Sequence, residues 1–205
     1  MNLDHTQILA LEKYYRINLI NQAAGLRSAH LIGTQNTAGK TNLAIFNSVT
    51  YIGANPPCLG IILRPLSVRR DTYNNIRATK YFTLNQVPHD LVSEAHHTSA
   101  KYPSEISEFD QTKFTPTYVD DFPSPFVQES KIQIGLSYLE EHEIKVNGTR
   151  LIIGQIEKLI LPDEAVKDTG HINHEKIKTV AVSGLDTYYT SKKMSRESYA
   201  RPKEQ

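Results

Sequence analysis

The chain has 205 residues, of which 39% are hydrophobic and 22% charged, with a formal net charge of +1 and a single cysteine, Cys58. This composition predicts one globular domain with a real core, and it argues against a disulfide framework or a strongly basic nucleic-acid-binding surface. No apolar run approaches the roughly 20 residues of a membrane-spanning helix, and the first residues lack the pattern of a secretory leader. We therefore expect a cytoplasmic protein that binds neither nucleic acid nor a membrane.

The first residues differ from the rest of the chain. In LDHTQILALEKYYR, Ile8, Leu11 and Tyr15 recur at helical spacing, and Asp4 or Thr6 can cap a helix. The pattern of apolar residues changes at residue 27, where strand-length apolar runs begin. We divide the chain into a helical lead-in (1–26), a main domain (27–183) and a tail (184–205).

Three apolar runs separated by Gly, Asn and Pro predict antiparallel strands: RSAHLIGTQ, TNLAIFNSVTYI and PPCLGIILRP. The stretch RDTYNNIRATK then predicts a short helix, with Asp71 or Thr72 as the N-cap, and YFTLNQV predicts a buried strand. A further helix is predicted over HDLVSEAHHTSAKY, ending by Pro103.

The segment from there to Pro125 is rich in Pro, Asp, Thr and Ser, which predicts a long ordered loop. Asn147 and Gly148 then separate two apolar runs and predict a hairpin. The tail has three tyrosines among cations and no clear period, so it either packs on the domain or stays mobile. Because strands dominate without regularly alternating helices, we expect a mainly β fold, a closed or partly closed antiparallel barrel.

Two motifs invite functions that their context does not support. GTQNTAGKT resembles a phosphate loop, but its glycines enclose five residues instead of four and a strand follows, so we predict a turn at Gly39. His171, His174 and Glu175 of HINHEK, with His96 and His97, could suggest a metal, but no cysteine cluster or third ligand of suitable spacing accompanies them. We expect the histidines of HINHEK to be exposed loop residues. The sequence has no nucleophile elbow of the Gly-x-Ser-x-Gly kind and so does not indicate a serine hydrolase.

The stretch SVRRDTYNNI carries hydroxyl and guanidinium groups at a helix start. Backbone N–H groups there, with Ser67, Thr72 and Arg69 or Arg70, form a site for a phosphate monoester. The alternative is a structural N-cap with surface pairing of arginine and aspartate.

A second polar feature follows from strand periodicity. If TNLAIFNSVTY stays regular, each face of the strand mixes polar and apolar groups, which suits a flat heteroaromatic ligand with a polar rim. A bulge near Asn47 would explain the same mixing without a ligand. One face would carry Asn42, Ala44, Phe46 and Ser48, and the other Leu43, Ile45, Asn47 and Val49.

At this point the sequence resembles the flavin reductase-like proteins that bind FMN on a split barrel, a family that includes flavoredoxins. The resemblance rests on the Asn-Leu-Ala run, Asn-x-Val-like stretch and double proline of TNLAIFNSVTYIGANPPCLGIILRP, and on the helix start in RRDTYNNI. HHTSAKYPSEISEFD, GLDTYY and YARP are also similar to family motifs. The resemblance covers residues 27–202, and the His96–His97 pair departs from the common pattern.

The resemblance implies a homodimer of antiparallel Greek-key split barrels with short peripheral helices, each binding FMN. It places Arg70, Asp71, Thr72 and Asn75 at the phosphate and ribityl chain, with Ser67 added on chemistry alone. Along the isoalloxazine it places Asn42, Phe46, Asn47 and Ser48, and near the open face of the ring Thr98 and Ser99.

The function implied is an NAD(P)H:flavin oxidoreductase, in which hydride passes from a nicotinamide to flavin and then to free flavin or a protein acceptor. No side chain is expected to act as an obligatory acid or base. Two alternatives stay open, an FMN electron carrier of the flavoredoxin type reduced by a protein partner, and a non-catalytic FMN-binding module.

Overall fold

The structure is a computed structural model that describes residues 1–202. Its α-helices are α1 His5–Ala10, α2 Lys13–Ala23, α3 Asp71–Thr79 and α4 Val92–His97, and short 3₁₀ turns lie at His89–Leu91, Glu108–Gln111 and Asp163–Ala165. The strands are β1 Arg27–Ser28, β2 His30–Gln35, β3 Thr41–Phe46, β4 Val49–Ala54, β5 Pro57–Leu63, β6 Tyr81–Gln86, β7 Pro116–Thr117, β8 Phe126–Val127, β9 Gln133–Ile144, β10 Thr149–Ile160, β11 Val180–Ser183 and β12 Thr187–Thr190. Residues 203–205 of the predicted tail lie outside the described residues. Within residues 1–202, no helix combines the length and apolarity needed to cross a membrane.

The main sheet has seven of the described strands in the order β3-β2-β6-β9-β10-β5-β4. β3 and β4 are consecutive in the chain but lie at opposite edges of this sheet, so the sheet curls and Asn47 and Ser48 connect its two edges. Because β3 and β4 do not pair with each other, the curled sheet forms a split barrel. The predicted fold, a mainly β antiparallel Greek-key split barrel with short peripheral helices, is confirmed.

Alternating side chains of β2 separate two apolar cores. Ile32 packs in the barrel interior with Phe82, Leu136 and other fully buried side chains. Leu31 points the other way, into a second core that β3, α4 and β11 share. Because successive residues of a strand face opposite sides, β2 is buried on both faces.

Two turns agree with their sequence signals. Gly39 lies in the β2–β3 connection with φ +81°, and Gly148 lies in the β9–β10 hairpin with φ +72°. Both glycines occupy the left-handed region that a residue without Cβ adopts at little cost. The strand-turn-strand interpretation of GTQNTAGKT and the hairpin at Asn147–Gly148 are therefore confirmed.

The prediction of one N-terminal helix is wrong. The chain forms α1, capped by Asp4, and then a separate α2 whose N-cap is Glu12. The Glu12 carboxylate accepts hydrogen bonds from the N–H groups of Tyr14 and Tyr15, at 2.8 and 2.9 Å. A side chain that caps a second helix interrupts the first one, which the apolar spacing alone did not indicate.

Two predicted strands are each split in the structure. The run 41–52 leaves the sheet at Asn47–Ser48, so the alternation predicted for it ends at Phe46. Phe46 and Val49 were expected on opposite faces of one strand, yet both pack against the barrel core. The run 27–35 divides at buried Ala29, because β1 pairs with β11 in a separate three-stranded sheet with β12.

Later boundaries also shift. α4 ends at His97, ahead of Pro103, because the chain turns where Thr98 donates its hydroxyl hydrogen to the carbonyl of Ala95. The predicted long loop contains a 3₁₀ turn and strand β7, which pairs with β8 immediately after the loop. Within the predicted tail, β12 pairs with β11, so that part of it packs on the domain.

Candidate functional site

The start of α3 lacks a side-chain cap. Its N-cap is Arg70, which makes no capping hydrogen bond, and the first helical bond runs from the N–H of Asn74 to the carbonyl of Arg70 at 3.0 Å. The prediction of Asp71 or Thr72 as N-cap is therefore wrong, since both residues already lie within the helix. The N–H groups of the first turn have no partner from a capping side chain, which leaves them able to donate to an anion.

The two arginines of the stretch differ in their surroundings. Arg69 is exposed and its Nε lies 2.7 Å from Asp71 Oδ1, a surface ion pair. The Nε of Arg70, in contrast, is buried and has no hydrogen-bond partner among the described residues. A buried guanidinium nitrogen without a partner fits an anionic ligand at this helix start, and the chemistry thus distinguishes Arg70 from Arg69.

A buried polar lattice ties α3 to the sheet. Thr34 of β2 accepts hydrogen bonds from the side-chain amides of Asn42, at 3.3 Å, and Asn75, at 3.1 Å. The Asn42 amide also donates to the Thr72 hydroxyl, at 3.1 Å. The predicted site residues Asn42, Thr72 and Asn75 are thereby linked through Thr34, which the sequence analysis missed. Thr34 lies on the same inward face of β2 as Ile32, so a polar residue at an inward strand position could have indicated it.

A cavity of about 210 Å³ lies beside this lattice. Its wall combines the amides of Asn42 and Asn75 with charges of both signs, from Lys40 and Asp71 among others. The remaining lining residues come from the β2–β3 turn and the start of β3, from α3 and the residue before its N-cap, and from the segment 102–108: Asn36, Thr37, Thr41, Arg69, Asn74, Ala78, Tyr102, Pro103, Ser104, Ile106 and Glu108. A polar cavity with donors and acceptors on all sides suits a hydroxylated or phosphorylated ligand more than an apolar one.

Glu108 closes the open edge of β3 next to the cavity. Its carboxylate accepts the N–H of Leu43 at 2.9 Å, and the neighbouring Ser107 hydroxyl lies 2.8 Å from that of Thr41. Burial raises the pKa of the Glu108 carboxyl, the hydrogen bond from Leu43 opposes this shift, and the charge of Asp71 adds to it. Glu108 was not predicted as a site residue, although the Glu-Phe pair that ends its loop belongs to the family resemblance.

The other end of β3 is built differently. The side-chain amide of Asn47 donates to the carbonyl of Gly184 at 2.6 Å, and Ser48 bonds to both backbone groups of Ile62. Phe46 packs against the barrel core. These predicted residues lie where the chain crosses between the sheet edges, and none of them lines the cavity beside α3.

His30 is paired in register with Phe46 across β2 and β3. Its ring is buried, and its Nδ1 finds no partner within residues 1–202. Burial lowers the pKa of His30 to about 4, against a smaller opposing effect from a hydrogen bond with the backbone of Ser28. The imidazole is therefore neutral at physiological pH.

The remaining predicted residues lie apart from both places. Ser67 is exposed in the loop that joins β5 to α3. Thr98 is buried and bonded to the preceding turn, and the hydroxyl of exposed Ser99 donates to the carbonyl of His96 at 2.7 Å. No hydrogen bond among the described residues joins Thr98 or Ser99 to the lattice. His171 and His174 are exposed, as expected for loop histidines.

A charged network that the sequence analysis also missed holds the other side of α3. Tyr73 and Arg150 both donate to Glu141 Oε1, each at 3.1 Å, and an Arg77 nitrogen lies 3.3 Å from Glu141 Oε2. Glu141 is 15% exposed. Its register partner is buried Ile152, so a charged residue at an inward strand position was the signal. The network joins α3 to β9 and β10 and so fixes the helix whose first turn is uncapped.

The split barrel with a helix start open to an anion defines the class of the split-barrel flavoproteins. The family model described as "Flavin reductase like domain" matches residues 27–181. The chain belongs to the flavin reductase-like family.

Solved structures agree with this assignment. A split-barrel protein of Shewanella frigidimarina NCIMB 400, assigned as a flavin reductase, is 44% identical with a TM-score of 0.94, covering 98% of this chain and 100% of that one. Nitrilotriacetate monooxygenase component B of Bacillus cereus is 18% identical with a TM-score of 0.83, covering 96% and 98%. The flavoredoxin of Desulfovibrio vulgaris (Miyazaki F) is also 18% identical, with a TM-score of 0.72, covering 85% and 92%. The last two likenesses establish the fold alone.

Proposed function

We propose that this protein is an FMN-binding oxidoreductase that transfers hydride from NAD(P)H to flavin. The observation that carries the proposal is the uncapped start of α3 beside the unpartnered Nε of Arg70. Family membership supports a flavin-related oxidoreductase, and the anion-binding chemistry of this helix start supports a flavin that carries a phosphate. When bound, the isoalloxazine supplies the hydride acceptor.

The residues divide into those that would hold the phosphate and those that would support them. Arg70 would donate its guanidinium to the phosphate, together with the first-turn N–H groups and the hydroxyl hydrogens of Thr72 and Ser67. Asp71 would keep Arg69 oriented at the rim. Because the amides of Asn42 and Asn75 already bond to Thr34, we propose that they fix this helix start and present their oxygens to the ribityl hydroxyls.

The ring would lie at the crossing between the sheet edges. Phe46 would support it through its packing, while Asn47 and Ser48 hold the backbone there in place through their bonds to Gly184 and Ile62. Thr98 and Ser99 would order the end of α4 near the open face of the ring. Backbone N–H groups aimed at the ring would stabilise the negative charge of its reduced form.

The first experiment is an absorbance spectrum of the freshly purified protein, followed by NADH or NADPH without oxygen. We expect flavin bands that bleach with one of the two nucleotides. Protein that carries or accepts FMN but oxidises neither nucleotide above background would refute the reductase. Protein that is colourless and shows no thermal shift with FMN would refute FMN binding and leave a non-catalytic role for the barrel.

Arg70→Ala tests the phosphate assignment. Loss of one charge-assisted contact should weaken FMN binding by about 1.5–3 kcal/mol, roughly 10- to 150-fold in the dissociation constant, as measured by fluorescence titration. Arg64→Ala is the matched control, because Arg64 is an exposed arginine outside both the cavity wall and the first turn of α3, and its effect should be small. Equal affinities for Arg70→Ala and the unchanged protein would contradict the assignment.

The second candidate is an electron carrier reduced by a protein partner, and the likeness to a flavoredoxin favours it as the alternative. A carrier would keep its flavin oxidised in NAD(P)H and, after reduction with dithionite, would pass electrons to a protein acceptor. The spectrum described above separates the two functions, because only the reductase bleaches with a nucleotide.

We further propose that the protein is a cytoplasmic homodimer whose partners are NAD(P)H and either flavin or a protein electron acceptor. The net charge of +1 supports neither nucleic-acid nor membrane-surface binding. Exposed apolar side chains on the outer face of the barrel, such as Ile52 and Ile62, support a second copy as a partner. The lead-in (1–26), main domain (27–183) and tail (184–205) remain our proposed division of the chain.

A further inference from the structure

The two N-terminal helices form an arm, residues 4–26, that joins the rest of the described chain at the end of α2. Within residues 1–202, no residue of α1 or α2 is buried. The arm instead exposes several large apolar side chains at 38–68%: Leu9, Tyr14, Tyr15, Ile17 and Ile20. So many exposed apolar groups on one short segment indicate a surface that another surface covers.

The sequence nevertheless specifies these helices closely. Asp4 and Gln7 form a reciprocal capping box on α1, and Glu12 caps α2. Arg16 then donates to the carbonyl of Leu9, which fixes the angle between the two helices. Helices of 6 and 11 residues are marginal in water by themselves and depend on tertiary packing. The arm has the caps of a defined structure but lacks that packing within its own chain.

Contacts between the arm and its own barrel lie at the end of α2. Arg27 donates to the carbonyl of Asn21 at 2.9 Å, and the side chain of Gln22 lies against Gly184. The exposed apolar residues precede this attachment point. The arm also lies outside the family match, which begins at residue 27. The arm is attached to the barrel at this one end.

The same chain exposes an apolar sheet face of matching character. Ile52 of edge strand β4 is 42% exposed and Ile62 of β5 is 39% exposed. Leu151 of β10 pairs in register with Ile62, and both Leu151 and Ile52 lie against the outward side of Gly60, so the three share the outer face. One charged group also suits the arm: α2 carries Lys13 and Arg16 without an acid, and exposed Glu140 borders the face through its pairing with Ile153, with His142 3.3 Å away opposite Leu151.

We propose that the arm docks on the outer face of β4, β5 and β10 of a second copy of this chain. Each copy offers one arm and one face, so a two-fold exchange buries both surfaces twice in one closed dimer. The proposal rests on the homodimer of the proposed function and assigns its contact surfaces. It also gives the residues that precede the family domain a role in assembly.

The test is a thiol crosslink between two variants in a Cys58→Ala background. Ile17→Cys and Ile62→Cys are purified separately, mixed, and treated with a short bismaleimide. We expect a covalent dimer of twice 23.2 kDa in the mixture and much less in either variant alone. Ile17→Cys mixed with Val146→Cys is the control, because Val146 is 90% exposed at the hairpin tip, beyond the end of the strands that form the face.

Absence of the mixed dimer, or equal yield with the Val146 control, would overturn the proposal. A chain that carries both Ile17→Cys and Ile62→Cys should also crosslink into dimers, and crosslinking within the monomer would show that the arm folds onto its own barrel. In sedimentation, Ile17→Glu with Ile20→Glu should raise the dimer dissociation constant at least tenfold, and Asn18→Glu should not. These readouts do not depend on flavin: colourless protein that crosslinks refutes FMN binding alone, and yellow protein that does not crosslink refutes the arm alone.

Discussion

The two ends of β3 show opposite ways of securing an edge strand. At its start, Thr41 and Leu43 are bonded to the adjacent residues Ser107 and Glu108, and Asn42 is bonded to Thr72 of α3. At its end, Asn47 and Ser48 bond only to backbone groups, and the neighbouring His30 keeps an unpartnered nitrogen. The first end supports α3 through several hydrogen bonds. The second end has fewer of them, so a ligand ring that binds at the crossing would add most to its stability.

The largest expected effect concerns His30 at the crossing. Its folded pKa of about 4 lies below the ordinary value of 6.5, so the unfolded chain takes up a proton first as the pH falls. The free energy of unfolding, measured by urea denaturation, should therefore decline by roughly 3 kcal/mol as the pH falls from 6.5 to 4. His30→Leu should remove this decline, and His142→Leu, at an exposed position, should not. An unchanged decline in His30→Leu would contradict the burial argument.

The next effect tests the supported end. Thr34→Val keeps the shape of the side chain but removes the shared acceptor of Asn42 and Asn75, leaving buried amide hydrogens unpaired. We expect the free energy of unfolding to fall by about 2 kcal/mol, with weaker FMN binding as the support for α3 loosens. Thr50→Val, at an exposed strand position, is the control and should change stability by less than about 0.5 kcal/mol. Similar values for both variants would show that the lattice adds little.

Glu108 sharpens the comparison at the edge of β3. Glu108→Ala should lower stability by about 1–2 kcal/mol, because the buried N–H of Leu43 loses its acceptor. Glu108→Gln keeps an acceptor and removes the charge. Since the folded pKa is raised, the stabilisation due to Glu108 is complete below its unfolded pKa and is lost as the pH rises through the folded pKa. Glu108→Gln should reduce this loss of stability with rising pH. A dependence of stability on pH identical to that of the unchanged protein would contradict the raised pKa.

The smallest effect is expected at Ser48. Its hydroxyl bonds both backbone groups of Ile62 but is only half-buried, so Ser48→Ala should lower the free energy of unfolding by about 1 kcal/mol or less. If the crossing contacts the ring, flavin affinity should fall more than stability does. A loss of stability without any change in affinity would remove Ser48 from the proposed site.

Local signals were sufficient for much of the fold. The Asn147–Gly148 hairpin, the Gly39 turn, the buried strand after α3 and the mainly β class follow from turn residues and strand patterns. The breaks at Ala29 and Asn47 were not predicted, because a strand that changes sheet keeps the composition of a strand. Which edges meet is decided by long-range pairing, and no local pattern encodes it.

The site shows the same division. The polar stretch before Ile76 correctly indicated a helix start, yet its N-cap and the difference between Arg69 and Arg70 depend on which group finds a partner in space. Thr34, Glu108 and Glu141 were missed because each acts on residues far away in the chain. Polar or charged residues at inward strand positions marked two of the three, and no periodicity marked Glu108.

The carboxylate that covers the edge of β3 has a consequence for the fate of damaged protein. An unpaired strand edge is a template for pairing with another chain, and here Ser107 and Glu108 occupy it. The preceding Glu105 and Ile106 are exposed and so accessible to a protease. We expect a single cut there to uncover the strand while leaving the barrel largely folded, so that nicked molecules aggregate edge to edge before they unfold.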